Sequence, residues 1–177
     1  MVRLFICIWI PEDIKNKLIL LQKEMKEIGV HGKYVEKDNF HVTLTFIGEV
    51  KEDKVGPLKE MLEKCLSDVK GFKIELSGLK LIPNESFIRV IGIKIISEEL
   101  RNLIREIGSK IGGSFYEEEK VTLCRVKSLK KDKFKMFLVK NINVNLGSFN
   151  VKSVCLVKSV LTRDGPIYET IHVVDLK

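Results

Sequence analysis

One order of elements occurs twice in this chain, and no other feature narrows its fold so far. In the first half, Phe5-Ile6 leads through a helical pattern to His41-Val-Thr-Leu44. In the second, Phe87-Ile88 leads through another helical pattern to Lys120-Val-Thr-Leu123. Phe5 to His41 spans 36 positions and Phe87 to Lys120 spans 33. Recurrence of one strand–helix–strand unit at similar spacing is the signature of duplication. The expected fold is α+β and bilobal: duplicated units whose antiparallel sheets face a central cleft, with helices outside. The two lobes would be related by a pseudo-twofold axis within a single domain, 1–177.

The periodicities agree with this order. Residues 3–10 are apolar and β-branched enough for a buried strand, and Pro11-Glu-Asp opens a helix with acids at its positive end. Ile14, Leu18, Leu21, Met25 and Ile28 recur at helical steps until Gly29. A short strand is expected at about 32–36, then a helix at 51–67 with Val55, Leu58, Met61, Leu62 and Leu66 as its apolar stripe. Strands at 72–81 and 86–95 flank the turn-like Pro83-Asn84-Glu85. A helix at 97–111 carries Leu100, Leu103, Ile104 and Ile107. A strand at 119–127, an amphipathic segment near 131–140 and strands near 144–150, 152–161 and 167–175 complete the chain.

Composition excludes several classes. Hydrophobic residues make up 45% of 177 and charged residues 31%, which rules out a disordered chain. The apolar Leu4-to-Ile10 run is far shorter than the roughly 20 residues of a membrane span, and it lacks a signal peptide's cleavage site. Cys7, Cys65, Cys124 and Cys155 are far apart, with no CxxC pair. Neither a zinc site nor a disulfide framework is expected, which fits a reducing cytoplasm. A net charge of +7 suits polyanionic partners such as RNA, and it suits equally a lysine-rich surface that serves only solubility. Lys130-Lys-Asp-Lys133 reads as a solvated face.

The chemistry lies in the repeated strands. Residues i and i+2 of a strand share a face, so His41 and Thr43 point one way while Val42 and Leu44 anchor the core. Imidazole moves a proton near neutral pH, and a threonine hydroxyl donates to a phosphoryl oxygen. If the second strand faces the first, Lys120 and Thr122 complete the pocket. Two proton-transfer groups flanking a phosphate suit in-line displacement: one activates the incoming oxygen and the other protonates the leaving one. No metal or cofactor is expected, since the chain has no GxxxxGK[ST] loop and no carboxylate cluster with ligand spacing.

These motifs resemble the HxTx pair of the two-histidine phosphoesterase superfamily, and within it the RNA 2',3'-cyclic phosphodiesterases, also called 2'-5' RNA ligases. The likeness extends to Phe46-Ile-Gly-Glu49, Pro83…Phe87-Ile-Arg-Val-Ile91, Arg125, Lys158-Ser and Gly165-Pro-Ile-Tyr-Glu-Thr170. It implies hydrolysis of RNA 2',3'-cyclic phosphate ends, tRNA halves among them, to 2'-phosphomonoesters, with reversible 2'-5' joining as an alternative physiological reaction. By the same resemblance His41 protonates the leaving 3' oxygen, and Thr43, Thr122 and Arg125 hold phosphate. Simple alternation places Arg125 opposite Lys120 and Thr122, so it reaches the cleft only if the strand bulges or ends there. A cytoplasmic monomer is expected.

Position 120 departs from the pattern, because the resembled motif begins with histidine. An ordinary lysine, with pKa near 10.4, is protonated at pH 7 and makes a poor base. Burial or neighbouring cations would have to lower it by several units, whereas Glu117-Glu118-Glu119 favour the ammonium. Three readings stay open: a slow enzyme leaning on His41 and electrostatics, a tuned lysine, or a non-catalytic RNA-end binding protein. His31 and His172 are weak candidates to replace the missing histidine, the first placed in a turn and the second on a strand edge.

Overall fold

The computed structural model describes residues 1–114 and 119–177. In chain order its elements are β1 (Val2–Trp9), α1 (Glu12–Glu27), β2 (His31–Tyr34), β3 (His41–Val50), α2 (Val55–Leu66), β4 (Phe72–Asn84) and β5 (Phe87–Ile96). Then come α3 (Glu98–Ile111), β6 (Lys120–Ser128), α4 (Lys131–Asn141), β7 (Asn145–Val151), β8 (Ser153–Thr162) and β9 (Gly165–Asp175). Most boundaries fall within a residue or two of those the periodicity marks. Pro83 lies inside β4 rather than in the turn, and His31 opens β2 instead of occupying a turn.

The fold is α+β, as the repeated order of elements implies. Among the described residues the strands form one antiparallel sheet in the order β7-β4-β5-β6-β3-β1-β8-β9, with β2 paired to β6. The two halves of the sheet join where Val42 of β3 pairs with Val121 of β6. From Cys124 onward β6 pairs with β2 instead, so β3 and β6 diverge beyond their junction. Gly32 is what lets β2 come so close: a Cβ there would sit 2.1 Å from the Arg125 carbonyl oxygen.

Helices cover one face of the sheet. α1 packs on β6 and β7, α4 on β4, and α3 on β3, while α2 contacts α3 and β9. The helix stripes bury Ile14, Leu18, Leu21 and Met25 of α1, and Leu100, Leu103, Ile104 and Ile107 of α3. They pack with Leu4, Ile6 and Ile8 of β1 and with Ile91, Ile93, Val121 and Leu123 in one core. The opposite face of β1 carries a separate small cluster of Phe5, Cys7, Cys155 and Val157, against which Trp9 and Tyr168 pack. All four cysteines are free and buried. No helix among the described residues is long and apolar enough to cross a membrane.

Candidate active site

The two motif-bearing strands lie side by side. Because Val42 and Val121 are paired and both buried, His41 and Thr43 on one strand and Lys120 and Thr122 on the other project from the opposite, helix-free face. In an antiparallel pair, one step from this junction sets His41 beside Thr122 and Thr43 beside Lys120. All four are half-buried. The site is thus built at a strand junction in the sheet, where β3 and β6 diverge.

Beyond the junction both strands bulge at the same motif position. In β3 an extra residue, Leu44, is accommodated between the pairs Ile6–Thr45 and Cys7–Thr43. In β6 the extra residue is Leu123, between Ile91–Cys124 and Gly92–Thr122. A bulge reverses the alternation that follows it. Leu44 and Thr45 are therefore both buried, as are Leu123 and Cys124, and the exposed Phe46 and Arg125 emerge on the same face as His41 and Lys120. This resolves the position of Arg125: the bulge carries its side chain to the cleft. Its positive charge acts on Tyr168, opposing the effect of burial, which pushes that hydroxyl's pKa up.

Fixed bonds orient His41. Its Nδ1 lies 2.7 Å from the Asn39 carbonyl oxygen, which can only accept, so Nδ1 carries the proton. Nε2, 3.0 Å from Thr43 Oγ1, is then the working nitrogen, accepting from that hydroxyl when the ring is neutral. Phe5, Trp9 and Tyr168 surround the imidazole, with ring centroids 5.1, 5.7 and 5.4 Å from it. Burial lowers the His41 pKa and the charge of Lys120 lowers it further, while the bond to Asn39 pulls the other way. Trp9 is itself held by an Nε1–H bond of 3.1 Å to Thr170 Oγ1. Asn39 Nδ2 donates to the Pro166 carbonyl oxygen at 3.3 Å, tying the β9 end to the motif strand.

The cleft walls differ in character. The β1–β8–β9 side is aromatic, whereas the β5–β6–β2 side is cationic: Lys94 pairs directly with Lys120, and Lys33 directly with Arg125. Neither Lys94 nor Lys33 stands out in a sequence reading. Their signal lies in register, since each is the cross-strand partner of a motif residue. The aromatic wall was legible only as apolar strand residues.

The remaining candidates lie elsewhere. His172 Nε2 is 2.8 Å from Glu63 Oε1 of α2, and exposed His31 pairs with Ser128 at the far end of β6. Lys130 through Lys133 are exposed around the start of α4. Glu119 turns away from Lys120: its buried carboxylate takes an Nε–H bond of 3.2 Å from Arg101 on α3. Glu117 and Glu118 lie outside the described residues.

The fold is that of a two-histidine phosphoesterase, with the first motif intact and Lys120 where the second would have histidine. The family described as LigT like Phosphoesterase matches residues 8–92. The RNA 2',3'-cyclic phosphodiesterase of Methanocaldococcus jannaschii is 39% identical over 175 residues, 96% of this chain and 98% of that one. Its counterpart in Aeropyrum pernix is 35% identical, over 89% of this chain and 93% of that one. The chain belongs to the LigT-like phosphoesterases, and it is an enzyme of the hydrolase class. Among solved structures, Thermus thermophilus TT0787 superposes with a TM-score of 0.83 at 22% identity, covering 98% of this chain and 97% of that one. E. coli LigT complexed with 3'-AMP gives 0.78 at 21%, covering 99% and 98%. Both share the fold.

Proposed function

We propose that this enzyme opens RNA 2',3'-cyclic phosphate ends to 2'-phosphomonoesters, with its two halves acting as a duplicated unit that contributes one motif each. The pairing of Val42 with Val121 carries this reading, because it brings His41, Thr43, Lys120 and Thr122 to one face at one point. The names of the archaeal relatives support the substrate.

In the reaction, the oxygen of a water attacks phosphorus, the bond from phosphorus to the 3' oxygen breaks, and the phosphate remains on the 2' oxygen. One group must take the water's proton and another must supply a proton to the 3' oxygen. The resemblance assigns His41 to the second task. Its surroundings favour the first: burial and the Lys120 cation both disfavour imidazolium, so at neutral pH Nε2 offers a lone pair. An ammonium at Lys120 then donates to the leaving oxygen and offsets the developing charge. Thr43, Thr122 and Arg125 bind the non-bridging oxygens, as charge-stabilising donors do in phosphoryl transfer.

The test is incubation with an oligoribonucleotide ending in 2',3'-cyclic phosphate, followed by end-group analysis. Accumulation of 2'-phosphate that His41→Ala abolishes supports the assignment. Binding without product at high enzyme concentration overturns it and leaves an RNA-end binding protein.

A further inference from the structure

Three polar side chains are buried among the described residues: Gln22, Thr45 and Asn141. A buried amide or hydroxyl is costly unless it is hydrogen-bonded, so each marks a place where a bond is made. Asn141 bonds within its own helix, its Nδ2 donating to the Phe137 carbonyl oxygen at 3.0 Å. The other two stand at the two motif bulges. In β3 the residue after the bulged Leu44 is Thr45, whose hydroxyl lies 3.2 Å from the carbonyl oxygens of both Gly112 and Ser114, just past α3. In β6 the residue after the bulged Leu123 is Cys124, and the bond comes from outside the strand. Gln22 reaches from α1, and its Nε2 donates to the Leu123 carbonyl oxygen at 2.9 Å and to the Val35 carbonyl oxygen at 2.9 Å.

Leu123 follows Thr122 directly and stands two positions before Arg125. Its carbonyl oxygen accepts a second bond, from the Val35 N–H at 3.0 Å. Two donors on one oxygen engage both of its lone pairs and fix the plane of the peptide that follows. That peptide lies within the bulge, where the alternation of β6 reverses and Arg125 acquires its direction. β2 comes close to the Arg125 carbonyl at Gly32, so the bulge is held from the helix side by Gln22 and from the strand side by β2. We propose that Gln22 is a positioning residue for Arg125: by pinning the bulge it aims the guanidinium at the non-bridging oxygens of the phosphate. The inference rests on the function proposed above. Gln22 acts through the backbone, since it lies under the helix-covered face of the sheet and Arg125 emerges on the other.

The experiment measures kcat/KM on an oligoribonucleotide ending in 2',3'-cyclic phosphate for wild type, Gln22→Met, Arg125→Gln and the double variant, well below their melting temperatures. Methionine matches glutamine in length and donates no hydrogen bond, which leaves the Leu123 carbonyl with the Val35 N–H. A misplacement of about 1 Å costs on the order of 10²-fold in rate, so kcat/KM of Gln22→Met should fall by about tenfold or more. In the Arg125→Gln background the same substitution should change kcat/KM by no more than about twofold, because the group it misplaces is already gone; a residue that only supports the fold would act equally in both backgrounds. A full rate in Gln22→Met, or an equal fall in both backgrounds, overturns the proposal. Should Gln22→Met not fold, Gln22→Asn, which keeps the amide but holds it short of the two carbonyls, carries the same comparison. If wild type forms no 2'-phosphate, the proposed function fails, and the positioning is read separately by fluorescence anisotropy on the same oligonucleotide. Severalfold weaker binding by Gln22→Met that vanishes in the Arg125→Gln background then supports it. Equal affinities, or equal losses in both backgrounds, overturn it.

Discussion

Gly92→Ala tests whether the spacing of β5 and β6 sets the position of Lys120. A Cβ at residue 92 would stand 2.7 Å from the Val121 carbonyl oxygen, where ordinary contact begins at 3.4 Å. The obstacle is backbone in a strand pair, so side-chain rotation cannot relieve it, and the strands must part by about 0.7 Å. Val121 is also the residue that pairs with Val42 and joins the two halves of the sheet. The displacement therefore reaches both motifs. Overpacking of this kind costs about 1–3 kcal/mol, and a misplacement near 1 Å costs on the order of 10²-fold in rate. Urea unfolding with an unchanged m-value should register the first. The ratio of kcat/KM values at a urea-free temperature well below the melting point should show at least a tenfold loss. Gly56→Ala is the control: nothing lies within 4 Å of its added methyl in α2, so stability should rise by up to about 1 kcal/mol with activity unaltered. Full activity in Gly92→Ala would refute the reasoning, because Lys120 would then be placed by something other than the floor beneath it.

The pH dependence follows from the lowered His41 pKa. The unfolded chain takes up this proton near pH 6.5, before the folded one does. Stability should therefore fall as pH drops from about 6.5 and level off below the folded value, a dependence that His41→Gln removes. As a base, His41 should give kcat/KM an acid limb below pH 6.5. Lys120→Gln should move this limb upward, since it removes a cation; a rate that instead rises on acidification would restore the acid role. Lys120→His should lower turnover on cyclic-phosphate ends, measured as initial rate, because the ammonium is the proposed donor to the leaving oxygen; a gain of the ~10²–10⁴ that acid–base catalysis supplies would mean that the second motif lacked its proton-transfer group. Burial pushes the thiols of Cys7 and Cys155 up, and these two face each other across β1 and β8. A maleimide should leave both unlabelled in the folded protein over hours, and rapid labelling would show that the strands open.

Local pattern was enough to place the strands, the helices and the polar pair at each motif, because side-chain periodicity of two or 3.6 is written residue by residue. His41 with Thr43, and Lys120 with Thr122, share a face by alternation alone. Pairing was not legible, because hydrogen bonds between strands join residues far apart in the chain. That Val42 meets Val121, that both motif strands bulge at their leucine, and that Lys94 stands opposite Lys120 are decisions of register. The bulge is the clearest case: one extra residue in β6 turns Arg125 from the core side to the cleft. The sequence by itself determined which groups could do chemistry. Tertiary pairing alone decided which of them share a pocket and which charge each one feels.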